Sequence, residues 1–262
     1  MTQGKSLTTA LYVKHHLNHW QLSLGEGSFW KLHIDTLLVS TLLGFLFLTL
    51  MFTSARKSTA GIPGNLQNAI ESVCELIDTT VADVYLYKRN FITPLAITIF
   101  VWVLLMNFMD LIPVDLVGWL IVNLAGSQNS HFRLVPTADS NLTFGLSITV
   151  FLMVIYYNFS AKGFRGVLKE ILSVPFGIML FPLNVIFRLI DEVVKPLSLA
   201  LRLYGNLFAG ELIFLLIASL PWFIQWTLGG LWAIFHIMVI VIQAFVFMML
   251  TVVYLHQAQD KH

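Results

Sequence analysis

Charge is scarce in this sequence. Of its 262 residues only 11% are Asp, Glu, Lys or Arg and 57% are hydrophobic, whereas soluble domains carry roughly 25% charged and 45–50% apolar residues. That balance excludes an ordinary soluble domain and points to an integral membrane protein. Cysteine is nearly absent: the single Cys74 excludes an internal disulfide and any cysteine-based metal cluster, and a small buried thiol accounts for it. The net charge of +1 says nothing about a polyanionic partner, and no basic run or aromatic–basic interleaving suits nucleic acid, so none is expected as a partner. No Gly-x-Ser-x-Gly elbow or His-Glu-x-x-His site occurs. One interior histidine in the candidate spans, His236, is too few for two-helix bis-histidine haem ligation. No internal repeat of the secondary-transporter kind is present. Met1 to Trp20 has Lys5, Lys14 and three histidines but no uninterrupted apolar core, so it is expected to be retained and not cleaved as a signal.

What is present is a series of apolar runs. The fold class they predict is an all-α integral membrane protein with about five crossings, an amphipathic surface helix and a long tilted helical hairpin near the C-terminus, arranged as a single membrane domain over 1–262. An outer N-terminal tail, 1–33, precedes a first span at 34–53, which contains Asp35 and ends at Arg56-Lys57. The loop 54–91 holds a surface helix between Pro63 and Lys88, with Leu66, Ile70, Val73, Ile77 and Val84 at helical spacing. Second and third spans with an outer loop occupy 92–160, and Asp110, Asp115 and Asp139 border that loop, where solvation is expected. From 182 to 256 the chain forms the hairpin. Its first arm, about 38 residues with only Pro196 to interrupt it, would reach about 57 Å at 1.5 Å per residue, so it must tilt, bend or lie partly along the membrane. Pro221 to Gly230 is expected to form the turn, with the last crossing from Leu231 to about Leu255.

Five crossings put the ends on opposite sides. With the N-terminus outside, Arg56, Lys57, Lys88, Arg89, Lys162, Arg165, Lys169 and Lys261 lie inside, against Lys5, Lys14, Lys31 and Arg133 outside. Cytoplasmic loops carry the excess of Lys and Arg, which favours N-out, C-in.

The informative residues lie in the hairpin. Asp191, Lys195, Ser198, Arg202 and Asn206 follow each other at four, three, four and four, making one polar stripe along a helix. Arg202 is the sharpest of them. A guanidinium cannot shed its proton, and a charge at mid-bilayer costs roughly 3 kcal/mol on insertion scales. Gly205 and Ala209 share its side, and small residues let a neighbouring helix approach closely. Glu211, nine residues on, points to the opposite side. In an antiparallel hairpin, residues at equal depth have nearly equal index sums, which pairs Arg202 with Gln243 and Glu211 with His236. The polar residues thus step from the outer end of the hairpin toward Arg202, as an ion or proton path requires. Each has a blander role open to it: His236 in packing, Asn206 and Gln243 as interhelical glue, Asp191 and Lys195 as a mutually neutralising pair. Arg202 could pair with Glu192. A stand-alone transporter or channel remains an alternative on these residues alone.

The run Pro196-Leu-Ser-Leu-Ala-Leu-Arg202-Leu-Tyr-Gly-Asn206-Leu-Phe-Ala-Gly-Glu211 closely resembles the motif of the a subunits of bacterial F-type ATP synthases. Pro94-Leu-Ala-Ile-Thr-Ile-Phe-Val-Trp-Val, Leu105-Met-Asn-Phe-Met-Asp110-Leu-Ile-Pro-Val-Asp115 and Pro136-Thr-Ala-Asp139 extend the likeness. So do Pro221-Trp, Trp232-Ala-Ile-Phe-His236-Ile and Gln243-Ala-Phe-Val-Phe-Met, covering nearly the whole chain in order. The resemblance implies a non-catalytic stator subunit of the bacterial plasma membrane, without cofactor or metal, lying in the lipid bilayer against a ring of c subunits. It also implies contact with the b subunits of the peripheral stalk and the remainder of the complex. By the same resemblance Arg202 is the essential arginine, and Asn206, Glu211, His236 and Gln243 belong to the outer proton path, with Asp110 and Asp139 at its entrance. Many relatives carry an acid where this sequence has Arg188. Asp191, with Lys195 and Ser198, is the candidate lining of an inner half-channel.

Overall fold

The computed structural model describes residues 21–23, 31–59, 61–112, 135–173 and 176–260. Asp115, Arg133, Pro175 and Lys261 lie outside them, as do the residues before 21. Two short antiparallel strands, β1 (Gln21–Ser23) and β2 (Lys31–His33), lead directly into helix α1 (Ile34–Arg56). Helix α2 (Asn65–Val84) is the amphipathic helix: Ile77 and Val81 are buried while Leu66 and the acidic residues stay outside. Helix α3 (Ile92–Phe108) passes into a 3-10 turn at Met109–Leu111, and a second 3-10 turn at Pro136–Ala138 precedes α4 (Ser140–Ser173). A third, Ile178–Leu180, leads to α5 (Phe181–Ala218), and α6 (Trp222–Gln259) completes the chain. Among the described residues the fold is therefore all-α apart from one three-residue ladder, and five helices are long and apolar enough to cross a membrane.

The core lies where α3, α4, α5 and α6 meet. Phe100, Val103 and Met106 of α3 pack with Leu199, Leu203 and Leu207 of α5 and with Ile240, Ala244, Phe247 and Met248 of α6. Opposite faces remain apolar and open, with Leu42, Phe45, Leu152, Leu189 and Ile234 exposed. An apolar exterior around an apolar core suits hydrocarbon as the surrounding solvent.

One element differs from the sequence expectation. The segment from Trp222 to Gly230 is helical and belongs to α6, so the hairpin turn is confined to Ser219–Pro221. Pro221 occupies the N-cap, where its missing N–H costs nothing, and the Gly229-Gly230 pair is carried by a long apolar helix. Helix α5 has the expected length, 38 residues with Pro196 inside it. Ser147 of α4 donates to the Pro196 carbonyl at 2.5 Å, holding the two helices close at that level.

Between α4 and α5 the chain turns sharply. Gly163, at φ 68° and ψ 167°, breaks the helical path of α4 after its apolar part, a backbone state suited to glycine. Further on, Gly177 takes φ 84°, and the buried Asn184 secures the turn. Its Oδ1 accepts from Phe176 N–H at 3.0 Å, while Nδ2 donates to the carbonyls of Leu172 at 3.0 Å and Gly177 at 2.9 Å. Replacement of Asn184 by Leu should remove three bonds of roughly 1 kcal/mol each and leave two carbonyls and an N–H unsatisfied. We expect faster proteolysis at 172–184 and a lower melting temperature of the purified membrane complex.

Cys74 sits half-buried on α2. Burial, then the neighbouring Glu71, push its thiol above the ordinary range. The thiolate fraction at neutral pH is correspondingly small. Alkylation of Cys74 should be slower than that of a free thiol at pH 7 and should accelerate as pH rises; equal rates at pH 7 would contradict this.

Candidate proton-path site

Helix α5 has two chemically different sides, fixed by its sequence period. Leu199, Ala200, Leu203, Leu207, Gly210 and Glu211 are buried, whereas Asp191 and Asn206 are exposed and Lys195, Ser198 and Arg202 are half-exposed. A Cβ built on Gly205 would meet nothing within 4 Å, so the Arg202 side of the helix is open.

Along this open stripe every charged group except Arg202 has an opposite charge at hand. Lys195 pairs with Asp191 at 2.8 Å. Arg188 bridges Glu192 at 2.9 Å and Glu170 of α4 at 3.2 Å, and Glu170 also takes Lys162 at 2.7 Å. Glu192 is thereby committed to Arg188, not to Arg202. Among the described residues Arg202 has neither an ion pair nor a hydrogen bond. Asp191 and Lys195 neutralise each other, as one reading of the sequence allowed.

The hairpin register is about one turn from the expected level for the first pair. Asn206 Nδ2 donates to the amide oxygen Oε1 of Gln243 at 2.8 Å, so Gln243 meets Asn206 and not Arg202. At the second level His236 lies beside the turn of α5 that carries Glu211, as the hairpin rule expects. His236 is buried, and its Nε2 lies 2.5 Å from Asp110 Oδ2 in the 3-10 turn after α3. The ring rests against Gly210, the residue before Glu211: a Cβ there would collide with His236 Cε1. Phe214 meets the imidazole edge-on and Trp232 stacks on it at 6.0 Å. Glu211 is buried in the same region, but the bond shown for the histidine joins α6 to the end of α3.

Asp110 and Asp139 are not solvated. Both are buried, at 8% and 2% exposure. Asp139 N-caps α4, accepting from Asn141 N–H at 3.2 Å, where the helix dipole favours its anion. Its Oδ2 lies 2.8 Å from His33 Nδ1 and accepts from Thr36 Oγ1 at 3.1 Å. The sequence offered no sign of His33 or Thr36 in this role; each lies more than 100 positions from Asp139, and only contact reveals them. Asn107 and Thr137 were likewise missed. Both are fully buried, and neither Asn107 amide atom nor Thr137 Oγ1 has a partner among the described residues.

A cavity of about 310 Å³ opens beside this hairpin, lined by Asn206, Gly210, Trp232, His236, Val239 and Gln243 among others. It is large enough for several waters. Its amide and imidazole lining gives those waters donors and acceptors, so the arrangement can pass protons between the buried histidine and the open face of α5. Among the described residues no group of three or more His, Cys, Asp and Glu side chains is placed to hold a metal ion.

These features define a class: a multi-spanning membrane protein whose last two helices carry titratable and amide groups together with an arginine that has no counter-charge among the described residues. Comparison with known proteins gives the family. The family described as ATP synthase A chain matches residues 37–256. The chain is 57% identical over 261 residues to ATP synthase subunit a of Coxiella burnetii (strain RSA 493 / Nine Mile phase I), covering 98% of each chain. It is 51% identical to ATP synthase subunit a of Alkalilimnicola ehrlichii, over 96% of this chain and 97% of that one. For ATP synthase subunit a of Chromobacterium violaceum the identity is 49%, with the same coverage. The chain belongs to the ATP synthase A chain family, membrane-sector subunits of the bacterial F-type ATP synthase.

The close approach of Gly210 and His236 generates a prediction. Gly210→Ala should force the imidazole off Asp110 and reduce ATP-driven proton pumping at least tenfold, roughly the loss of one aligned proton-transfer step. Gly229→Ala, whose Cβ would meet Ile217 at an ordinary 3.7 Å, should leave pumping unchanged. Quenching of a pH-sensitive dye in inverted vesicles measures both. Equal effects would show that the His236 contact is not what matters.

Proposed function

We propose that this chain is the proton-translocating stator subunit of a rotary ATP synthase, supplying two offset half-channels and an essential arginine that faces the carboxylates of a c-subunit ring. The observation that carries this reading is the position of Arg202: half-exposed on an open helix face, with no counter-charge among the described residues while its neighbours on the stripe are paired. An arginine within an apolar span needs an anion, and a carboxylate on an adjoining subunit supplies one.

The chemistry follows from that contact. A fixed cation beside a ring carboxylate favours its ionised form and lowers its pKa, so a proton is released as each site passes. Arg202 stays charged and blocks direct hopping between the half-channels. The outer path runs from Asp139 and Asp110 through His236, past Glu211 and the cavity, to Gln243 and Asn206 at the ring-facing surface. The inner path follows Asp191, Lys195 and Ser198. With the N-terminus outside and the C-terminus cytoplasmic, protons entering from outside must travel around with the ring before leaving on the cytoplasmic side. Each charge crossing 100 mV gains about 2.3 kcal/mol, so several crossings drive one ATP. The subunit itself performs no bond chemistry; synthesis or hydrolysis belongs to the rest of the complex, to which b subunits of the peripheral stalk tie it.

Arg202→Ala in the intact complex should abolish ATP-driven proton pumping while leaving subunit assembly largely intact. Pumping at the unsubstituted rate would refute the proposal.

A further inference from the structure

We propose that His33 is a proton-relay residue at the outer mouth of the path, forming with Asp139 the first of two histidine–carboxylate stations, of which His236 with Asp110 is the second. The inference deepens the proposed function and rests on that reading. Its basis is geometric. His33 ends β2 and caps α1, so the ladder and the helix hold it in place from both sides. Its Nδ1 lies 2.8 Å from Asp139 Oδ2, with side-chain exposures of 13% and 3%. The imidazole is thus at the edge of the protein and the carboxylate within it.

The hydrogen-bond pattern assigns the ring nitrogens. Asp139 accepts from Asn141 N–H and Thr36 Oγ1, both contacts that suit an anion. Thr36 has one hydroxyl proton for two acceptors, Asp139 Oδ2 and the His33 carbonyl at 2.9 Å. With Asp139 ionised, His33 Nδ1 carries a proton and donates it, which leaves Nε2 as the basic nitrogen. A proton arriving at Nε2 makes the ring an imidazolium; transfer of the Nδ1 proton to Asp139 then returns the ring to neutrality. One proton enters, one moves inward, and the tautomer resets by rotation or by exchange with water.

What lies inward supports the same direction. The Pro136–Ala138 turn, which ends beside Asp139, packs against α1, α3 and α5, and the turn carrying Asp110 continues α3 and touches α5. Thr137 on the first of these turns and Asn107 on the last turn of α3 are fully buried with polar atoms unpartnered among the described residues. Buried polar groups of that kind hold ordered water, and water between them would connect the stations. Among the described residues the other titratable groups that the surrounding elements bring to this end are Asp35 on α1, Asp110, Glu211 on α5 and His236 on α6. All are buried, which leaves His33 as the group of this set nearest the surface.

The test uses the whole ATP synthase in proteoliposomes, with ATP synthesis driven by an imposed gradient and a fixed potential while the pH on the N-terminal side is stepped from 6 to 8. His33→Asn retains a donor toward Asp139 but cannot titrate; His33→Gln is the second variant. For each, the rate per assembled complex is compared with the unsubstituted enzyme. The relay predicts near-equal rates at pH 6, where protons are abundant, and a loss of roughly threefold or more at pH 8, where capture limits delivery. Superimposable pH profiles, or failure of both variants to assemble, would overturn the relay and leave His33 a structural contact. If the unsubstituted complex makes no ATP from the gradient, the proposed function fails first and the inference with it.

Discussion

A permanent positive charge in an apolar helix is the constraint on which the rest of the structure depends. Arg202 cannot neutralise itself, and the chain does not neutralise it among the described residues. Elsewhere the same helix is careful with charge: Asp191 with Lys195, and Arg188 with Glu192 and Glu170, are closed sets. An open cation beside closed pairs costs stability, so its retention is best understood through a partner outside the chain. The packing is consistent with that. Large side chains hold α5 to α3, α4 and α6 on one side, while Gly205 and Ala209 keep the Arg202 side clear.

The buried polar groups on the other side of α5 obey a related constraint. Burying a carboxylate or an imidazole requires a hydrogen-bonded partner, and the structure provides one through residues distant in sequence: Asp110 with His236, Asp139 with His33. Both partnerships join separate helices, so they help to fix this end of the bundle. Gly210 contributes by what it lacks. With a side chain at position 210 the imidazole of His236 could not lie against α5 and still reach Asp110.

Much of this was legible in the sequence because helices in lipid obey simple periodicities. Apolar run length gave the five long helices, and the spacing of four, three, four and four put Asp191 through Asn206 on one side. The antiparallel hairpin rule placed Gln243 and His236 near their observed levels, about a turn from the true partner in the case of Gln243. What failed has a common cause. Asp110 and Asp139 border a loop, so sequence gave no reason to bury them; the burial comes from α1, α5 and α6 closing over two short 3-10 turns. His33 belongs to no periodic segment, and its partner is 106 positions away. Trp222 to Gly230 contains the Gly-Gly pair that usually marks a turn, yet the apolar surroundings and the Pro221 cap keep it helical.

The central claim is that the open side of α5 faces a carboxylate-bearing neighbour. Site-specific cross-linking tests it most directly. In a Cys74→Ser background, single cysteines at Ser198, Asn206 or Ala209 would be paired with a cysteine beside the mid-membrane carboxylate of the ring subunit in native membranes, and oxidised. The account predicts disulfide-linked product from these three positions and none from Leu152 or Phe45, which are exposed on other helices. Cross-links from Leu152 or Phe45, with none from the α5 positions, would contradict it.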